Sequence, residues 1–80
     1  MEYPIVIERD AEGYGAWAPD LPGCVGLADT LEGVIEDMRL AIEFHLQGMR
    51  EDGDPIPTPS RLVLIEGGHE VAGFATIEAA

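Results

Sequence analysis

The side chains with chemistry to offer, carboxylates apart, are few: Cys24, Ser60, His45 and His69 in a chain of 80 residues. A catalytic nucleophile needs a base within hydrogen-bond reach, and no local pattern ties either histidine to Cys24 or to Ser60, the only serine. Cys24, His45 and His69 also lack any recognised zinc-ligand spacing. The stretch "EGGHEVAG" is glycine-rich but has neither the lysine nor the spacing of a phosphate-binding loop. Carboxylates abound, and Asp10, Glu36 and Glu43 could be imagined as oxygen ligands for Mg²⁺ in a two-metal nuclease. With sixteen acids in the chain, however, neighbours arise by chance, and no spacing selects these three. No catalytic residue, metal or cofactor is assigned on these grounds.

Charge is the strongest compositional feature. Four basic residues against sixteen acidic ones leave a formal net charge of -12, which repels nucleic-acid phosphates and anionic lipid and attracts basic partners. Acidity of this kind also serves plain solubility. No apolar run is long enough to span a bilayer, and the start "MEYPIVIERD" lacks the basic region of a signal peptide, so a soluble cytoplasmic protein is expected. A chain this small forms one domain near the lower limit for folding on a single core, burying about 60% of its surface. One cysteine supplies no disulfide, which leaves self-association as the remaining route to extra burial.

The elements that must position any site follow from periodicity. In "YPIVIERD", Tyr3, Ile5 and Ile7 alternate with Val6 and Glu8, the pattern of a half-buried strand, with Pro4 tolerable only at an edge or first position. "DAEG" links it as a hairpin to "YGAWAP", in which Trp17 is expected in the core. Pro22-Gly23 is a turn dipeptide leading into a third short strand, about Cys24 to Ala28, and completes an antiparallel meander. Thr30 is the expected N-cap of a helix with Glu32 at its positive end. Leu31, Val34, Ile35, Met38, Ile42, Leu46 and Met49 form its apolar stripe, with His45 among them as a partly buried residue. Glu32, Glu36, Asp37, Arg39, Glu43, Gln47 and Arg50 solvate the rest, apart from Leu40 and Phe44, an apolar pair on the far side that either the C-terminal segment or another protein must cover. Gly53 and the proline-rich "DPIPTPS" end the helix in a stiff connector. "RLVLIE" fits a strand or a helical turn, and "EVAGFATIE" a last strand with Val71, Ala75 and Ile77 on one face and Phe74 and Thr76 on the other.

The order "YPIVIERDAEGYGAWAPDLPGCVGLADTLEGVIEDMRLAIEFHL" followed by "GDPIPTPS" resembles the HicB-like antitoxin family of toxin-antitoxin systems over almost the whole chain. The resemblance implies an α+β, partial ribonuclease H-like fold of order β-β-β-α-β, with the last strand beside the first and sheet order 3-2-1-4. It implies a helical turn at Arg61 to Glu66, and as partner a small basic HicA-like ribonuclease toxin with a double-stranded-RNA-binding-like fold and a catalytic histidine. Two departures matter. Many members carry a second, DNA-binding domain, for which residues 1–80 hold no counterpart, so control of transcription is not carried over. The helix start reads Thr30, Leu31, Glu32, Gly33, Val34 where the family has T-x-E-E-A, which loses an acid and weakens the first turn.

These readings converge on a binding module that sequesters a basic ribonuclease. Asp10, Glu12, Asp20 and Glu36 are its expected electrostatic contacts, Asp20 foremost because it sits on a rigid turn, and Leu40 and Phe44 an apolar contact. A homodimer or higher even-numbered assembly is expected through either the Leu40–Phe44 face or the terminal strand. The alternatives are an orphan self-assembling structural domain and, from a different class, the Mg²⁺-dependent nuclease.

Overall fold

A computed structural model describes residues 1–61 and 71–79. Its elements run β1 (Glu2–Asp10), β2 (Gly13–Trp17), β3 (Val25–Ala28), α1 (Leu31–Asp52) and β4 (Val71–Glu78). The strands form one antiparallel sheet of order β3-β2-β1-β4, as the resemblance implied, and α1 lies on one face of it. Whether residues 61–66 form a strand or a turn falls, beyond Arg61, outside the described residues, and so does His69.

The sheet is built on alternation. Tyr3, Ile5 and Ile7 of β1, Ala16 of β2 and Ile77 of β4 point to the helix and are buried with Val34, Met38, Ile42 and Leu46 of α1. Ile35 and Met49 pack at the margin of this core, whereas Leu31 remains 45% exposed. Trp17 departs from expectation. It pairs with Val6 and so shares the sheet face away from the helix, where it is half-buried; the helix-side position is taken by Ala16. Period-two patterning tells which residues share a face but not which face the helix covers.

Backbone hydrogen bonds explain Pro4. Met1 and Ala79 exchange bonds in both directions, the Ala79 N–H donating to Met1 at 2.7 Å and the Met1 ammonium to Ala79 at 2.6 Å. Residues of the same parity in β1 therefore bond toward β4, and Pro4 turns its missing donor to the β2 side. There it costs nothing, since β1–β2 pairing stops at Val6↔Trp17. By the same alternation Ala75 and Ile77 bond inward to β1, and Phe74 and Thr76 direct their backbone groups to the outer edge of β4.

Local signals set the remaining elements. The Thr30 hydroxyl accepts the Gly33 N–H at 3.0 Å, capping α1, and Gly53 closes the helix at φ 75°. Gly23 stands at φ 85° in the turn that the Cys24 N–H closes on the Leu21 carbonyl at 3.0 Å, with Pro22 before it. Cys24 and Leu21 are buried beneath that turn, and burial pushes the Cys24 thiol pKa up. The connector after α1 is tied down at two points. The Tyr3 hydroxyl donates to the Pro57 carbonyl at 2.5 Å, and Ser60 bonds to Asp20.

Candidate partner-binding surface

The six residues expected to meet a partner divide into three pairs. Asp10 ends β1, where its carboxylate accepts the N–H groups of Glu12 at 2.8 Å and Gly13 at 3.1 Å and so shapes the hairpin tip. That tip meets the end of β3 around an open cavity of about 250 Å³ whose lining includes Asp10, Glu12, Tyr14, Leu27 and Asp29. Asp10 and Glu12 thus stand with Asp29 at the Leu27 end of the sheet.

Leu40 and Phe44 lie on the outer face of α1. At about 3.6 residues per turn, Leu40 and Phe44 each stand two residues, about 200°, from the buried Met38, Ile42 and Leu46 and so face away from the sheet. Asp37, by contrast, reaches β3, its carboxylate accepting the Leu27 N–H at 3.0 Å. Leu40 and Phe44 are 52% and 79% exposed, and the neighbouring edge strand adds Val25 and Leu27 at 64% and 79%. Val25 and Leu27 pair with Trp17 and Gly15 and share the sheet face away from the helix, so the two apolar pairs stand on different faces.

Asp20 and Glu36 are engaged elsewhere. Both Asp20 oxygens accept from Ser60, from its N–H at 2.7 Å and its hydroxyl at 2.5 Å, so this carboxylate fastens the connector to the β2–β3 turn. Glu36 holds Arg39 through two hydrogen bonds of 2.6 and 3.0 Å, and Arg39 reaches Glu43 at 2.9 Å. The Arg39 guanidinium holds the Glu36 carboxyl below the usual carboxylate range, and the two acids push the Arg39 pKa up. Glu36 stands one turn before Leu40, and its charge is engaged by Arg39. Asp10, Glu36 and Glu43, imagined above as a metal site, do not gather: among the described residues no three His, Cys, Asp or Glu side chains could hold an ion together.

Asp37 is the residue that sequence reasoning missed, since it passed as one of many solvating acids. Its signal lay in Gly26. A Cβ there would come within 2.8 Å of the Asp37 carboxylate and 3.0 Å of the Met38 sulfur, so the absence of a side chain lets α1 settle on β3 and lets Asp37 reach the edge. No lysine or arginine occurs between Arg9 and Arg39, which leaves this side of the molecule without a cation from β2 to the middle of α1.

Among the described residues no helix is long and apolar enough to cross a membrane. Comparison with known proteins places the chain in a family. The N-terminal domain of the antitoxin HicB of Burkholderia pseudomallei superposes with a TM-score of 0.79 at 29% identity, covering 98% of this chain and 96% of that one. The HicB3 and HicA3 toxin-antitoxin complex holds a chain of the same fold, with a TM-score of 0.75 at 24% identity, covering 100% of this chain and 99% of that one. A UPF0150 protein of Archaeoglobus fulgidus is 40% identical over 57 residues, covering 68% of this chain and 83% of its own length. An uncharacterized 14.9 kDa protein of Haemophilus phage HP1 is 44% identical over 57 residues, which are 71% of this chain but 43% of the phage protein, so the match spans less than half of that relative. The model of the HicB-like antitoxin of bacterial toxin-antitoxin systems matches residues 3–78, and this chain belongs to that family.

Proposed function

We propose that this chain is the toxin-binding module of a HicB-like antitoxin and that it sequesters a small, basic, HicA-type ribonuclease in the cytoplasm by covering its active surface. The observation that carries this reading is the β3 edge, where Val25 and Leu27 are exposed, Asp10, Glu12 and Asp29 gather around Leu27 and Asp37 holds the Leu27 N–H. Exposed apolar side chains beside acids suit a cationic surface, which the charge steers in and the apolar groups retain. Asp20 and Glu36 contribute through the overall field, and Asp20 also through the shape of its turn. Mixing the purified chain with a HicA-type toxin and following RNA cleavage tests the proposal: a stable complex with cleavage suppressed at equimolar ratio supports it, and undiminished cleavage with no complex rejects it.

We further propose self-association into a homodimer or higher even-numbered assembly through β4, an edge strand whose outward backbone belongs to Phe74 and Thr76 and whose charged residue is Glu78. Thr76→Pro removes an outward donor and should dissociate such an assembly; Ala75→Pro would instead break the ladder to β1. Light scattering over a dilution series decides, and a monomer at all concentrations overturns this part.

A further inference from the structure

The exposed side chains on the two sides of the β3 edge differ in what they leave unsatisfied. In β3 the inward groups are those of Gly26 and Ala28, which pair with Ala16 and Tyr14; the preceding Cys24 carbonyl also points inward, accepting the Ala18 N–H at 3.1 Å. By alternation the N–H and C=O of Val25 and Leu27 point outward. The Leu27 N–H is taken by Asp37. Among the described residues, what remains is a short stretch of open edge, the Val25 N–H and C=O and the Leu27 C=O, with an acid at one end. An extended segment laid along it would alternate its side chains, one set falling on the α1 side, where Asp37 stands, and the other beside Val25 and Leu27 on the open face of the sheet.

We propose that this edge receives a strand of a basic protein, which pairs with the Val25 backbone, lays apolar side chains beside Val25 and Leu27, and sets a cation on Asp37. The proposal rests on the toxin-binding reading and specifies its mode of docking. Charge selects the occupant. A second copy would bring its own Asp37 and a net charge of -12 to an edge already lined by Asp29 and Asp37, whereas a cationic strand meets no like charge there. The acid also limits the register, since it fills the one outward donor next to Val25 and leaves pairing to the Val25 end.

Amide hydrogen exchange of the full ¹⁵N-labelled chain, alone and with purified HicA-type toxin, provides the test. In the free chain the Val25 amide should exchange readily, and in the complex it should slow by more than about tenfold as it enters a ladder. Val25→Pro should weaken binding by about tenfold, the loss of one backbone hydrogen bond, while Val25→Thr, which keeps the donor, should stay within about twofold. Should the proline variant fail to fold, the exchange measurement on the unaltered chain still decides. A complex in which the Val25 amide exchanges as in the free chain overturns strand addition and leaves toxin binding standing. Concentration-dependent protection of Val25 in the free chain assigns the edge to a second copy and overturns it as well. Absence of any complex overturns the toxin-binding reading itself, and this proposal with it.

Discussion

Asp20 and Ser60 are 40 residues apart in sequence, yet both oxygens of the Asp20 carboxylate are occupied by Ser60, one by its N–H and one by its hydroxyl. The turn that looked built to present an acid to a partner uses that acid to hold the chain's own connector. With Tyr3 bonded to Pro57, the pair keeps "IPTPS" against the body of the domain, and Ile56 packs on the core beside them.

Asp20→Ala and Ser60→Ala should therefore each lower stability by about 1 kcal/mol, and the double variant should cost little more than either single one. Urea denaturation of the four proteins measures the coupling. Fully additive losses would show that Asp20 acts apart from Ser60 and would return it to the partner surface.

Gly26→Ala should cost about 1–3 kcal/mol, because its Cβ would overlap the Asp37 carboxylate and the Met38 sulfur. Thermal melts report the loss. The Leu27 amide should exchange faster in the same variant as Asp37 is displaced, and an unchanged Leu27 amide would show that α1 shifts as a whole.

Alkaline pH should destabilise the protein through two buried groups. Burial raises the Cys24 thiol above its ordinary value of 9.0, and burial, followed by the Asp20 carboxylate, raises the Tyr3 phenol above 10.0. The unfolded chain then loses these protons first, so stability is whole below about pH 9 and falls as pH rises past the unfolded values. Denaturation midpoints between pH 8 and 11, compared with Cys24→Ala, separate the two contributions. A flat profile would show that neither group resists ionisation in the fold.

Association with a basic toxin should be steered by the net charge. The on-rate should fall steeply as the Debye length shrinks from roughly 30 Å at 0.01 M salt to about 8 Å at 0.15 M. Stopped-flow mixing at several ionic strengths checks it. An on-rate independent of salt would remove charge from recognition and leave the apolar surface to account for it.

Much of this architecture was legible because its signals are local. Thr30 caps α1, Gly53 ends it, Pro22-Gly23 turns the chain and the period-two pattern of "YPIVI" marks the central strand, all within a few residues of where they act. The site was legible only in part. Asp10 and Glu12 meet Asp29 and Leu27 across the hairpin tip, a meeting that strand periodicity alone did not give, while Leu40 and Phe44 stay on the outer face of α1 where the helix pattern put them. Asp20, Glu36 and Asp37 were indistinguishable as acids. What separates them is their partners, Ser60, Arg39 and the Leu27 N–H, and for Asp20 and Asp37 those partners lie 40 and 10 residues away. Trp17 was misplaced for a similar reason, since the face a tryptophan occupies is decided by where the helix docks.

The pairing of Glu2 with Glu78 has a consequence for how the fold is reached. The meander and α1 close short loops and can assemble while the ribosome is still adding residues, but β1, the strand at the centre of the sheet, completes its pairing only when β4 has been synthesised and has crossed back to it. Closing the chain over such a separation costs more entropy than closing the meander or docking α1, so a nucleus of local contacts is expected to form first and β4 to join after the rate-limiting step. Substitutions in β4 would then speed unfolding and leave the folding rate nearly untouched, and until β4 arrives each nascent chain carries a bare strand edge on which a neighbour on the same polysome could pair.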